Sequence, residues 1–410
     1  MTGVRFPSPA LMSVHERADP RPTGSNVAWI CGGVAFLVCL LAVLVTISVR
    51  HYRVTALIRM SPSEPMSQLA KEADSGFAFV HPDGHYDGVY FYANALDPFA
   101  TGAAHELIDQ PSYRYGHVGY GWVAWLASLG GRASLVPVAL LLIGLLSMAG
   151  AAYYGSVLAE ELGWSPWGGL LVAFNPGLIY AVTVDTAEPL GTLLLLGTLL
   201  AWIRGRRWLA AVLIVGLCFV KEPLVLVPIG LGLWELVMWA RREKEAFGAL
   251  VLRVAPLALG PILYVGWNLY LKATFGEFPF QQGQGNLAKP LFGWLDTLQM
   301  AASMGMETFD RMQLGTAAVP LITAAFVALV LGVYRSLAFK SPVDAVFLVT
   351  GLLMLSLGWL ALLYPKELIR NLAFTFVLLP AVLLRPRFEP WKVPEDVASE
   401  TKQTETSGPS

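Results

Sequence analysis

Ten runs of apolar residues constrain this chain more than any motif does. They cover 27–49, 134–158, 166–184, 187–203, 207–220, 223–240, 254–271, 315–334, 343–363 and 368–384. A transmembrane helix needs roughly 17–25 mostly apolar residues to cross the hydrocarbon core, and all but the run at 207–220 approach or exceed that length. Backbone inside lipid must satisfy its own hydrogen bonds, so such runs read as α-helices. Composition agrees: 55% of the residues are hydrophobic and 14% are charged, against about 25% charged in soluble domains. The expected fold is an all-α polytopic membrane protein with about ten transmembrane helices, one transmembrane domain over 27–385 flanked by disordered tails at 1–26 and 386–410. A formal net charge of -1 removes the polybasic character that nucleic-acid binding would need. Cys31, Cys39 and Cys218 all lie inside apolar runs and read as packing residues.

Two features concern the N-terminus. Val4-Arg-Phe-Pro7 back-translates to a sequence resembling the T-arm of a transfer RNA gene, so translation is expected to begin at Met12 and residues 1–11 not to be translated. The run from Val27 to Val49 is too long for a signal-peptide core and lacks a small-residue cleavage site, so it is expected to be retained as a span. With the N-terminus inside, Arg204, Arg206 and Arg207, then Arg241, Arg242, Lys244 and Arg253, then Arg335 and Lys340, then Arg385, Arg387 and Lys392 all fall on the cytoplasmic side, as the positive-inside rule asks. Gly116–Leu129 is too short to cross and, if it did, would reverse every later cluster. It is expected to lie in the interface, with Tyr120, Trp122 and Trp125 at headgroup level. Two long segments then fall outside the cytoplasm, 50–133 and 272–314. Both termini are expected in the cytoplasm of a cell-membrane protein.

The polar residues are distributed unevenly over this frame. His81-Pro-Asp-Gly-His-Tyr-Asp-Gly-Val-Tyr-Phe-Tyr92 packs acids, histidines and tyrosines into the first outer segment. Asp83, Asp87, Asp97, Arg114 and His117 share that segment. Asp185 and Glu188 bracket one outer junction, Lys221 and Glu222 a second, and Lys366, Glu367 and Arg370 a third. Intramembrane or junctional charges are costly and point to function; their gathering at one face suits interfacial chemistry better than proton-coupled transport, which places its groups near the midplane. Glu235 is the exception, near the inner end of its run. Each charge also has a plain reading as a solvated loop end, and Glu188-Pro189 suits a helix start. Lys221 does not, since a cation opposes the dipole at a helix N-terminus. Lys366 and Arg370 are i, i+4 around Glu367, which fits either an anion clamp or a local salt bridge. His81, His85, His105 and His117 with nearby Asp could bind a divalent cation, but no H-E-x-x-H or two-His helical spacing is present.

The order of a first span, a long acidic outer loop, an interfacial helix, a Glu160-Glu-Leu-Gly-Trp164 turn, an Asn175-Pro176 span, and acidic and Lys-Glu outer junctions resembles the GT-C superfamily of integral-membrane glycosyltransferases. Tyr86-Asp87-Gly88-Val-Tyr-Phe91 is similar to the Trp-Asp-x-x-x-Phe type motif of glycosylphosphatidylinositol mannosyltransferases. The resemblance implies a polyprenyl-phosphate-linked sugar donor, a lipid, glycan or protein acceptor outside the cytoplasm, and transfer with inversion. It places the general base at Asp87, with Asp83 the competitor, and the donor phosphate near Lys366 and Arg370. His85, Tyr86, Tyr90, Arg114, His117, Asp185, Glu188, Lys221, Glu222 and Glu367 complete the expected substrate-binding set. The chain departs from the pattern in lacking paired acids soon after the first span; Asp87 comes late and is followed by Gly88. A lipid-linked oligosaccharide polymerase or ligase, and a transporter or flippase, are the alternative readings; Gly260-Pro261 and Asn175-Pro176 are the breaks the latter would use.

Overall fold

The computed structural model describes residues 25–80, 84–241, 246–282, 286–304 and 315–384. Among them every regular element is helical. Five helices are long and apolar enough to cross a membrane: Asn26–Ser48, Val136–Glu161, Glu222–Arg241, Phe247–Phe275 and Ala318–Ser336. Four shorter apolar helices, Glu188–Ile203, Arg207–Val220, Pro342–Met354 and Ala373–Leu383, pack among them. Leu37, Leu41, Val45, Ile262 and Val265 stand exposed on the long helices. Such apolar faces are unfavourable in water and at ease in hydrocarbon, so the architecture is that of an α-helical membrane protein.

Three expected spans are interrupted. The run 166–184 breaks into Gly169–Ala173 and Pro176–Val182. Asn175 causes the break: it is extended, and its side chain accepts hydrogen bonds from the Gly177 and Leu178 amides, starting a new helix with Pro176 in the first turn. The run 343–363 divides into Pro342–Met354 and Trp359–Leu362, and the run 368–384 is preceded by the separate helix Pro365–Asn371. The polar tails, His81 and Asp83, and the basic residues Arg242, Lys244, Arg385, Arg387 and Lys392 lie outside the described residues.

The segment 50–133 folds as short helices packed on the bundle, among them Met66–Ala73, Gly88–Leu96, Pro111–Tyr115 and Gly119–Ala127. At nine residues, Gly119–Ala127 is too short to cross a membrane. Tyr120 is enclosed rather than set at a lipid boundary, and its hydroxyl donates to the Leu140 carbonyl at 2.7 Å. The reason is that a buried phenol needs a hydrogen-bond partner, and the first turns of Val136–Glu161 supply one. Cys31, Cys39 and Cys218 are buried and unpaired by disulfides.

Two glycines fix the approach of the elements that carry the polar residues. A Cβ at Gly88 would lie 2.8 Å from the Val184 carbonyl oxygen and 2.9 Å from that of Ile58. The residue after Asp87 must therefore be glycine if the helix Gly88–Leu96 is to start against both segments. A Cβ at Gly177 would meet the Ile369 carbonyl oxygen at 2.1 Å, so Pro176–Val182 and Pro365–Asn371 touch backbone to backbone. Gly177→Ala is expected to destabilise the fold by about 1–3 kcal/mol, as overpacking does, read as a lowered thermal unfolding midpoint in detergent.

Candidate functional site

Buried charge has to be compensated, and at the Asp87 end of the bundle the chain compensates it with residues from distant segments. Arg370, on Pro365–Asn371, is only 7% exposed. Its Nη1 lies 2.5 Å from Asp87 Oδ2 and its Nη2 lies 2.7 Å from Glu367 Oε2, while Nε is 3.8 Å from Glu188 Oε1. Glu188 is fully buried and also accepts the ammonium of Lys221. This explains the cation that opposed the helix dipole: Lys221 is positioned by a carboxylate 33 residues earlier, not by its own helix. Arg114, from Pro111–Tyr115, approaches the other Asp87 oxygen at 3.6 Å. Arg114 also donates to the Tyr90 hydroxyl at 2.8 Å and covers the Tyr90 ring at 3.5 Å, a stacked arrangement that guanidinium favours. Its Nε donates to Asp109 at 3.2 Å.

Asp87 is the centre of this network. Its position next to Arg59 and Ile58 is set by main-chain bonds: the Tyr86 amide donates to the Arg59 carbonyl at 2.9 Å, and Met60 bridges His85. Burial opposes ionisation of Asp87, yet the charges of Arg370, Arg114 and Lys221 outweigh it and hold the carboxyl well below the usual carboxylate range. Burial pushes the Tyr86 phenol far up, so it stays neutral and donates to Glu367 at 2.6 Å. Tyr86 packs edge-on to Tyr180, with ring centroids 6.0 Å apart.

A carboxyl whose folded pKa is depressed contributes stability that is present above its unfolded value, near 4, and is lost as pH falls through the folded value. Thermal unfolding in detergent is expected to show the Asp87 end losing stability only below about pH 4, and Asp87→Asn should flatten that acid limb.

The described site residues fall into one connected network, one adjacent pair and two single residues. Asp87, Tyr86, Tyr90, Arg114, Glu188, Lys221, Glu367 and Arg370 form the connected network just described. His85 joins it through Tyr90, its Nε2 against the phenol oxygen, with Nδ1 at 2.8 Å from Glu64. His117 and Glu222 form an adjacent pair, Nδ1 to Oε1 at 2.7 Å, with the His117 ring edge-on to Tyr113. Lys366 is partly buried beside Tyr86, its Nζ 5.1 Å from the ring centroid. Asp185 stands apart. It is buried in a left-handed turn (φ 48°), and neither carboxyl oxygen has a hydrogen-bond partner. Asp97 caps the loop that follows it, accepting from the Thr101 and Gly102 amides and pairing with His105.

Two further contacts bear on the charges singled out in the sequence. Of the two readings for Lys366, Glu367 and Arg370, a local salt bridge is present, between Glu367 and Arg370 at i, i+3. Glu235 is buried and held by Trp202 Nε1 (3.1 Å), Arg207 (3.1 Å) and Arg253 (3.0 Å), a structural clasp between helix ends. Sequence reading missed Arg59, Glu64, Asp109, Tyr113 and Tyr180. For Tyr180 a signal existed, since Asn175-Pro176 starts a short helix that carries it. Nothing local marks Arg59, whose neighbours are set by the return of the chain at 85–86.

Among the described residues no group of three or more His, Cys, Asp and Glu is placed to hold a metal ion. In comparison with known proteins, no family model, no curated protein and no solved structure matches this chain.

Proposed function

We propose that the chain is a membrane glycosyltransferase that moves a sugar from a polyprenyl-phosphate donor to an extracytoplasmic lipid, glycan or protein acceptor, with inversion. The observation that supports this reading most is the network around Asp87: a half-open carboxylate, 31% exposed in its side chain, fixed by Arg370 and Arg114 within an apolar bundle. Loop-end charges left to solvent would not be drawn from five separate stretches of chain into one ion-paired cluster.

The chemistry this set suits is single displacement. The acceptor hydroxyl oxygen forms a bond to the anomeric carbon. The bond from that carbon to the phosphate oxygen breaks, and its electrons remain on the lipid phosphate. Asp87 takes the hydroxyl proton as attack proceeds, which a carboxylate within hydrogen-bond reach can do. Paired with two arginines it is a weak base, and it gains basicity when the substrate draws one of them away. Cations at the rim stabilise charge developing on the leaving phosphate, and the tyrosine faces suit a sugar ring. The polyprenyl tail lies among the apolar helices, in a membrane protein with both termini in the cytoplasm.

The test is transfer of radiolabelled sugar from polyprenyl-phosphate mannose, glucose or arabinose into membrane lipid or glycan by purified protein in liposomes. Labelled product with at least one donor is expected. Movement of the intact donor between leaflets without a new glycosidic bond would replace this reading with that of a flippase, which the unpartnered buried carboxyl of Asp185 favours.

A further inference from the structure

The two arginines at Asp87 hold it unequally. Arg370 lies 2.5 Å from one carboxyl oxygen, whereas Arg114 stands 3.6 Å from the other. Arg114 is engaged elsewhere by three contacts of its own. Its Nη2 donates to the Tyr90 hydroxyl at 2.8 Å, its Nε donates to Asp109 at 3.2 Å, and its guanidinium covers the Tyr90 ring at 3.5 Å. Whatever holds the Tyr90 hydroxyl therefore helps to set how near Arg114 comes to Asp87. Attraction between opposite charges rises steeply at short range in a poorly hydrated site, so a small movement of Arg114 changes how readily Asp87 takes a proton.

Tyr90 is held in turn by His85. The Tyr90 hydroxyl meets His85 Nε2, the two rings are edge-on with centroids 5.0 Å apart, and His85 Nδ1 lies 2.8 Å from Glu64 Oε1. The backbone keeps His85 and Glu64 within reach of each other. Met60 bridges His85, the Ser61 amide donates to the Gly84 carbonyl at 3.0 Å, and the Glu64 amide donates to the Ser61 carbonyl at 3.2 Å. These contacts assign the protons. Arg114 can only donate, so the Tyr90 oxygen accepts from it. Burial pushes the Tyr90 phenol far up, so it keeps its own proton and donates it to His85 Nε2. The imidazole proton then sits on Nδ1, beside the Glu64 carboxylate. Every donor points the same way, from Arg114 to Tyr90 to His85 to Glu64, an order in which each contact strengthens the next.

We propose that Glu64 and His85 are positioning residues for Asp87: acting through Tyr90, they hold Arg114 off the carboxylate and so keep Asp87 basic enough to take a proton. His85 thereby leaves the substrate-binding set expected from the sequence, and Glu64 gains a role that nothing near it in sequence marks. What Asp87 does with that basicity rests on the transferase reading; the chain of contacts that reaches it does not. The charged and titratable groups around Asp87 are Arg370, Glu367, Arg114, Lys221, Glu188 and Tyr86. Of these, Arg114 is the one joined to Glu64 by the contacts above.

Two measurements on the full chain in detergent need no sugar transfer. In the first, NMR of protein labelled at the imidazole nitrogens reads the His85 tautomer, with His85→Gln locating its signals. A proton on Nδ1 and a bare Nε2 are expected, and Glu64→Leu should let the proton move to Nε2. A parent His85 with its proton on Nε2, and the Tyr90 hydroxyl turned to Asp109 instead, overturns the proposal. The second is the acid limb of thermal unfolding that Asp87→Asn removes. His85→Leu and Tyr90→Phe should each let Arg114 close on Asp87 and carry that limb about one pH unit lower, a tenfold change in proton affinity. The double variant should go no further than either, as residues in one chain of contacts do. In liposomes the same variants should lower kcat about tenfold, the worth of one hydrogen bond, with donor and acceptor KM unchanged. His85→Gln, whose amide oxygen can accept the phenol proton, should recover part of the loss, and Lys71→Gln, on an exposed helix face, should change nothing. A raised KM with kcat intact in His85→Leu would mean that His85 touches substrate, and overturns the proposal. An inactive parent in which His85→Leu still moves the acid limb keeps the positioning pair and removes the transferase. An active parent whose acid limb and kcat are both unmoved by His85→Leu does the reverse.

Discussion

Asp87→Asn is expected to abolish sugar transfer while the chain still folds and inserts. Asparagine is close in shape and keeps one oxygen for Arg370, but it cannot take a proton. Loss of a positioned general base costs typically 10²–10⁴-fold in rate, and the loss here should fall mainly on kcat. Folding should survive because Arg370 keeps Glu367 at 2.7 Å and Glu188 at 3.8 Å. The measurement is radiolabel transfer by parent and variant at matched amounts, with size-exclusion behaviour and thermal unfolding as controls. Full activity in a folded Asp87→Asn protein would remove Asp87 from the chemistry.

Arg370→Ala is expected to have the largest effect on stability. It takes one cation from among Asp87, Glu188 and Glu367, of which Glu188 is entirely enclosed. Removing one member of a buried ion pair costs about 3–5 kcal/mol, because the remaining charge is left uncompensated. Arg370→Lys should recover part of this, since an ammonium restores the charge but cannot reach Asp87 and Glu367 as a fork. Thermal unfolding of the three proteins in one detergent decides the matter: an alanine variant as stable as the parent would show that the cluster is solvated and that the carboxylates need no partner. The same variants distinguish positioning from ligand binding, since a positioning role lowers kcat and stability together, whereas a phosphate contact would raise donor KM in a protein of parental stability.

The helical, membrane-spanning character was legible in the sequence because it follows from apolar run length and charge deficit, which need no tertiary information. The clustering of polar residues was legible for a related reason. A charge at the end of an apolar run has few places to go, and Glu188, Lys221 and Arg370 were found by that argument alone. What the sequence could not show is pairing. Lys221 looked misplaced beside its own helix because its partner is Glu188, and whether Lys366 or Arg370 holds Glu367 depends on helix phase against Asp87. Interruptions such as those at Asn175 and at 355–358 were hidden by composition, since the segments on both sides stay apolar. Arg59 escaped notice because nothing near it in sequence is unusual; only the return of the chain at Tyr86 gives it a role.

The ion pair between Asp87 and Arg370 joins residues 283 positions apart. During synthesis the first of them leaves the ribosome long before the second exists. Until the helix carrying Arg370 arrives, Asp87 has only Arg114, at 3.6 Å, and Glu188 has only Lys221. A chain cut short before position 365 would thus lack the guanidinium that joins Asp87 to Glu188. The ion-paired cluster is complete only once the helix Pro365–Asn371 has been made and packed.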